Sequence, residues 1–247
     1  MCYDVAYLTK RLERYAEHYG TKKDWEDIKQ RLPATYHTQG FDHADLPVIT
    51  NDRPDKVITF EWGLVPRWVK DPMTATKLSN ATLNARAEDM FDKPSYRESA
   101  RKRHCLIIID GFYEHHWKDG KSYPHFITLK SEEPFALAGL WDTWNDKGTV
   151  SIVTTRANSL MAKIHNNPKG SHEPRMPLIL PKDREKAWLE NISSQQERDE
   201  LMNWIGPVDD QLLKAYTVPR LRGNAYKGNV PETMKPHPYP ELESEQG

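Results

Sequence analysis

The sequence predicts an α+β fold with a mostly antiparallel β core, barrel-like or a folded sheet, and peripheral helices. Three observations carry this. About six or seven apolar-rich runs of strand length recur at hairpin spacing with few helical stretches between them, which disfavours alternating βαβ units. The most apolar run, Cys105-Leu106-Ile107-Ile108-Ile109-Asp110, has the character of a buried central strand. The chain of 247 residues contains 18 prolines, with 37% apolar and 29% charged residues, which suits a loop-rich globular protein better than a helical bundle.

Taken in order, residues 2–8 predict a short strand that tucks the amino terminus into a core instead of leaving it to fray. Thr9 caps a charged amphipathic segment over residues 10–31, which Gly20 divides into two helices and whose charges form a solvated face. Residues 34–47 predict an irregular loop. Residues 47–50 and 57–60 then form a hairpin around Asn51-Asp52-Arg53-Pro54-Asp55. Trp62 reads as a core side chain at a strand end. Trp68, beyond Pro66 and beside Arg67 and Lys70, is the better stacking surface for a nucleobase.

In Asn84-Ala85-Arg86-Ala87-Glu88 the polar residues alternate, so an extended backbone turns Asn84, Arg86 and Glu88 to one face. Arg86 there either meets a phosphate or carboxylate through its planar guanidinium or pairs with Glu88 at the surface. A helix-containing connection over residues 91–103 leads to the central strand, and Glu114 follows just past it among aromatics. That environment raises a carboxyl pKa toward neutrality and makes it a usable acid or base. His115 and His116 lack further ligands at zinc spacing, and no phosphate-cradling loop, dinucleotide fingerprint or nucleophile elbow is present, so neither metal nor cofactor is expected.

Residues 123–129, 135–141 and 149–155 predict three more strands, and residues 157–164 a short amphipathic helix. The loop that follows, over residues 165–177, holds His165, His172 and Arg175, and a loop histidine on a rigid scaffold is a catalytic candidate. A strand at 178–180, helices at 183–192 and 195–205 with Trp188 and Trp204 on their buried sides, and an extended stretch over 217–231 complete the core. Prolines and acidic residues then take over. Residues 1–231 therefore predict one domain, and 232–247 a disordered tail.

The net charge of −1 and pI near 6.8 exclude a whole-molecule basic field, so any nucleic-acid contact is a local patch. Two cysteines make no secreted disulfide framework, and no stretch approaches the ~20 apolar residues that span a bilayer. The expected setting is reducing and cytoplasmic, where a thiol at position 2 stays free. A cysteine is small enough to permit removal of Met1, which leaves an α-amine and a thiol on adjacent carbons. With unperturbed pKa values near ~7.7–8.0 and ~8.5, that pair condenses with an aldehyde to an imine and then closes to a thiazolidine.

Met-Cys at the start, Trp-Gly-Leu-Val-Pro-x-Trp, Asn-Ala-Arg-Ala-Glu, Gly-Phe-Tyr-Glu, Gly-Leu-Trp and Arg-Met-Pro-Leu-Ile-Leu occur in this order. Together they resemble the SOS response-associated peptidase (SRAP) family over residues 1–231. The resemblance implies a β-rich monomeric sensor of abasic sites in single-stranded DNA, with no cofactor. It also implies a covalent crosslink to the ring-opened sugar, with associated autopeptidase and lyase activity. Carried over, Cys2 is the nucleophile through amine then sulfur, Asn84 orients the N-terminus and the lesion, and Glu114 shuttles protons. Arg86 and Arg175 hold the DNA backbone and Trp68 covers a base. The family's histidine usually sits two residues before the arginine of Arg-Met-Pro, where this chain has Glu173; His165 takes the role, with His172 the alternative. Many relatives also follow Met-Cys with Gly-Arg, where this chain has Tyr3-Asp4. Two other functions compete: a cysteine hydrolase with a Cys2, histidine and Glu114 site, and a non-catalytic nucleic-acid-binding module.

Overall fold

The computed structural model describes residues 2–8, 30, 32–167 and 173–243. Apart from residue 30, the helical segment expected over residues 10–31 lies outside the described residues. The first strand, β1 (Asp4–Tyr7), pairs antiparallel with β2 (Thr35–Gln39). This β2 occupies the stretch expected to be an irregular loop. Its Thr-Tyr-His-Thr-Gln lacks apolar alternation because a polar network, not a greasy face, holds it. The hairpin of β3 (Asp45–Thr50) and β4 (Arg53–Trp62) turns at Asn51 and Asp52, tighter than expected, since Arg53 to Lys56 continue the strand in exposed positions. A helix absent from the sequence expectations, α1 (Pro72–Ala81), starts where Asp71 accepts a hydrogen bond from the Thr74 amide at 2.7 Å and Pro72 takes the first turn.

Next come β5 (Asn84–Arg86), α2 (Ser99–Lys102), the central β6 (His104–Ile109), β7 (Gly111–Lys118), β8 (Lys121–Leu129), β9 (Phe135–Trp144) and β10 (Lys147–Arg156). Every residue of β6 is buried, as its apolar run predicts. Strands β10, β4, β3, β6 and β9 pair in that sequence, and β9 returns antiparallel to β10, closing a five-strand barrel. Closure removes the free edges that an open sheet of such apolar strands would present. Around it stand α3 (Ser159–Ile164), β11 (Arg175–Pro177), β12 (Ile179–Leu180), α4 (Lys182–Trp188), α5 (Gln195–Trp204) and β13 (Leu213–Thr217). Trp188 is buried, stacked on His104 at 4.6 Å between centroids, and donates to the Cys105 carbonyl at 3.0 Å; Trp204 is half-buried and meets Trp188 edge-on.

A second sheet runs β13-β8-β7-β1-β2. Only Asp110 separates β6 from β7, so one nearly continuous strand leaves the barrel and enters this sheet. Asp110 is buried at the junction, where its amide donates to the Ala6 carbonyl at 2.9 Å and its carboxylate accepts from the Leu8 amide at 2.5 Å. Those bonds pin β1 beside β7 and thereby place the amino-terminal residues. The adjoining Gly111 leaves no room for a side chain, because a Cβ there would stand 2.6 Å from the Ile127 carbonyl oxygen and 2.3 Å from the Phe126 ring. Gly111→Ala is expected to cost about 2 kcal/mol in urea unfolding by overpacking; an unchanged midpoint would mean that β8 withdraws freely.

The stretch after residue 232, expected to be disordered, packs as far as the final helix α6 (Pro240–Glu243). Thr233 and Tyr239 are buried, and the Tyr239 ring meets Tyr123 at 5.1 Å while its hydroxyl donates to the Val218 carbonyl at 2.9 Å. Aromatic contacts offset the acidic and proline-rich composition. Among the described residues no helix is long and apolar enough to cross a membrane, and no group of three or more His, Cys, Asp or Glu side chains could hold a metal ion.

Candidate active site

Antiparallel pairing builds this site. Asp4, Val5 and Ala6 lie opposite Tyr113, Phe112 and Gly111, so the residues just ahead of β1 leave the sheet at the end where Glu114 follows Tyr113 on β7. Cys2 is fully buried, and its Sγ lies 3.9 Å from the Asp4 carbonyl oxygen. Burial pushes the thiol pKa up, and the neighbouring Glu114 charge pushes it further. The sulfur therefore rests as a neutral thiol at pH 7.

Asn84 reaches the same point from the barrel. Strand β5 runs parallel to β10, pairing Asn84 with Ile152 and Arg86 with Thr154, so Ala85 is buried inward and Asn84 and Arg86 share the outer face. This is the alternation the sequence predicts for Asn84 and Arg86, whereas Glu88 lies in the turn beyond the end of the strand. The Asn84 amide donates to the Cys2 carbonyl at 2.8 Å, and the Tyr96 hydroxyl donates to the Asn84 carbonyl at 2.9 Å. Among the described residues, the buried Oδ1 of Asn84 has no hydrogen-bond partner. It is an acceptor of the kind an α-amine would satisfy.

Glu114 has its Oε1 3.1 Å from the His115 amide and its Oε2 3.4 Å from His165 Nδ1. Burial raises its carboxyl from the ordinary value of 4.5 to about 7. A group at that value gives and takes protons near neutral pH. His165, the C-terminal neighbour of α3, has its Nδ1 3.0 Å from the Arg175 carbonyl. A carbonyl only accepts, so Nδ1 carries the proton and the neutral ring keeps its basic lone pair on Nε2. Burial lowers the His165 pKa and favours that neutral form. His172 lies outside the described residues.

Arg175 is buried on β11. Its guanidinium takes both carboxylate oxygens of Glu88, through Nη1 to Oε1 and through Nη2 to Oε2 at 2.8 Å, and Nη2 also donates to the Thr154 carbonyl at 2.8 Å. Glu88 thus pairs with Arg175, not with Arg86. A cleft of about 430 Å³ opens over this group, with Tyr3, Arg86, Glu114, His165, Arg175 and Arg222 in its wall. Trp68 is 51% exposed, as expected of a stacking surface, but does not line the cleft. Sequence reasoning missed Tyr3 and Arg222. Tyr3 carries a signal, being one residue from Cys2; Arg222 carries none, arriving from the far end of the chain.

The chain matches the model of the family described as SOS response associated peptidase (SRAP) over residues 1–225. It is 36% identical over 223 residues to abasic site processing protein YoqW of Bacillus subtilis (strain 168), covering 85% of this chain and 92% of that protein. It is 28% identical over 212 residues to abasic site processing protein HMCES of Gallus gallus, covering 75% of this chain and 59% of that protein. A crystal structure of a protein from Bacteroides thetaiotaomicron superposes with a TM-score of 0.81 at 32% identity, over 96% of this chain and 100% of that one.

Proposed function

The chain belongs to the SOS response associated peptidase (SRAP) family, and from that membership we propose that it processes abasic sites in single-stranded DNA by bonding them covalently to Cys2. The relatives named as abasic site processing proteins support the substrate class. The observation that carries the chemistry is the meeting of Cys2, Asn84, Glu114 and His165 beneath one open cleft.

Hydrolysis of the Met1–Cys2 bond releases methionine and creates the reacting amine. Asn84 Oδ1 orients it. The amine nitrogen attacks the aldehyde carbon of the ring-opened sugar, and Glu114 passes the first nitrogen proton to the aldehyde oxygen, giving a carbinolamine. Glu114 then takes the second nitrogen proton and gives it to the hydroxyl, so water leaves and a neutral imine remains. The Cys2 sulfur then adds to the imine carbon while the thiol proton, relayed by Glu114 or the His165 Nε2, ends on nitrogen. The five-membered thiazolidine is closed with nothing oxidised or reduced. The amine acts first because the sulfur closes the ring only on an imine carbon, which the amine must first form. Arg86 meets a flanking phosphate and Trp68 stacks on a base. Arg175 acts on the strand indirectly, since its guanidinium is engaged by Glu88 and its carbonyl sets the His165 ring.

The test is a denaturing gel after incubation with a single-stranded oligonucleotide carrying one abasic site. The expected result is a denaturant-resistant band that disappears with Cys2→Ala and with any residue left ahead of Cys2. Intact mass should lack Met1. Absence of the band from protein whose mass confirms that Met1 is gone would overturn the proposal, and turnover of added peptides by that same protein would favour the hydrolase.

A further inference from the structure

Behind the Arg222 side of the cleft wall lies a polar network that the chemistry above leaves unused. Asp4, two residues beyond Cys2, is buried, with His37 Nε2 on β2 at 2.8 Å from its Oδ1. The Arg222 Nη2 donates to both oxygens of the same carboxylate, at 2.8 and 3.0 Å. His37 is held in turn, its Nδ1 lying 2.6 Å from the Tyr226 hydroxyl. Burial opposes the Asp4 charge, but the His37 hydrogen bond and the Arg222 cation outweigh it and keep the carboxyl below its usual range. Asp4 is a fixed, ionised anchor.

The side chain of Arg222 is not buried with its partner: it is 47% exposed and forms part of the cleft wall. Of the five N–H donors of a guanidinium, the Nη2 pair goes to Asp4 and one on Nη1 goes to the Leu221 carbonyl at 3.1 Å. The Nε–H and the second Nη1–H have no acceptor among the described residues. Arg175, in the same wall, is the contrast: only 4% exposed, it donates through Nε, Nη1 and Nη2 to Glu88 and Thr154. An arginine needed only to neutralise Asp4 would be expected to sink beside it. Arg222 is instead held at one edge and open at the rest, which is the arrangement of a preorganised anion contact.

We propose that Arg222, tethered through Asp4 and His37, is a binding site for one backbone phosphate of the single strand that enters the cleft. This rests on the reading of the cleft as a nucleic-acid site and names a second contact in it beside Arg86. The Asp4 tether lowers the entropy lost on binding, because the long side chain is already fixed.

The test reads non-covalent binding of an undamaged single-stranded oligonucleotide by fluorescence anisotropy across a salt series. Arg222→Gln is expected to lower affinity about fivefold at 0.1 M salt and to reduce the slope of log K against log salt by about 0.7, the value of one phosphate contact on a single strand. Since that change strips Asp4 of its counter-charge, the double variant Asp4→Asn/Arg222→Gln is measured too; it leaves no buried charge unpaired and is expected to show the same loss of slope. Arg222→Lys should keep most of the slope, and Arg53→Gln, in the exposed β3–β4 hairpin, should keep all of it. A wild-type slope in both Gln variants, or no binding by the wild type, overturns the proposal. The abasic-site gel reports separately on the crosslink: a slope loss in Arg222→Gln with no adduct from the wild type keeps the phosphate site and removes the crosslinking reading, while an adduct with unchanged slope does the reverse.

Discussion

Glu114→Gln is expected to slow adduct formation on an abasic oligonucleotide by about 10²–10⁴-fold, the usual contribution of a positioned acid or base, and at the same time to make the protein more stable at pH 8. Both effects have one origin. Burial raises the carboxyl from 4.5 to about 7. Between those values the folded chain keeps a proton that the unfolded chain has released, so stability falls as pH rises through the window. The full cost, reached above pH 7, is about 3 kcal/mol, because each tenfold change in proton affinity is worth ~1.4 kcal/mol. Glutamine cannot ionise and escapes it. Urea unfolding of both proteins at pH 5 and pH 8 checks this: the variant's advantage should be small at the lower pH and approach that figure at the higher. An advantage equal at both would mean that the carboxyl is not raised in the folded protein.

Glu88→Ala is expected to destabilise by about 3 kcal/mol at pH 7 although the Glu88 side chain is 50% exposed. The cost lies with its partner. Arg175 is buried, and without Glu88 its guanidinium keeps only Thr154. Arg175→Met removes the charge together with the need to pair it, and should cost less. Burial pushes the Glu88 carboxyl up, but the Arg175 hydrogen bonds and charge more than offset this and hold it below its usual 4.5. Its contribution is therefore complete above that value and is lost as pH falls through the lower, folded-state pKa. The gap between wild type and Glu88→Ala in urea melts should narrow in acid; a gap independent of pH would show that packing, not the ion pair, is what the substitution removes. Because the Arg175 carbonyl holds His165, the variant should also form adduct more slowly.

Residue patterns made much of the framework legible. The run at residues 105–109 could only be satisfied by burial on both faces, Trp62 at the end of an apolar strand belonged in the core, and Asn84 and Arg86 had to share a face once extended. Each of these follows from side-chain type and a period of two. Strand β2 was not legible, because its buried His37 is held by hydrogen bonds to Asp4 and Tyr226 and set edge-on to Tyr113 and Tyr226, all distant in sequence. Helix α1 had a legible start in Asp71-Pro72 but few apolar positions to give it a period.

On its own the amino-acid sequence determined the strand-rich class, the buried central strand and the shared face of Asn84 and Arg86. Each is set by neighbours within a few residues. Tertiary structure alone decided that β10 lies parallel to β4 and so closes the barrel, that His165 stands beside Glu114, and that Arg222 reaches Asp4 across 218 residues of chain. Such meetings depend on burial and hydrogen bonding summed over many strands at once, and no local stretch of side chains records that sum.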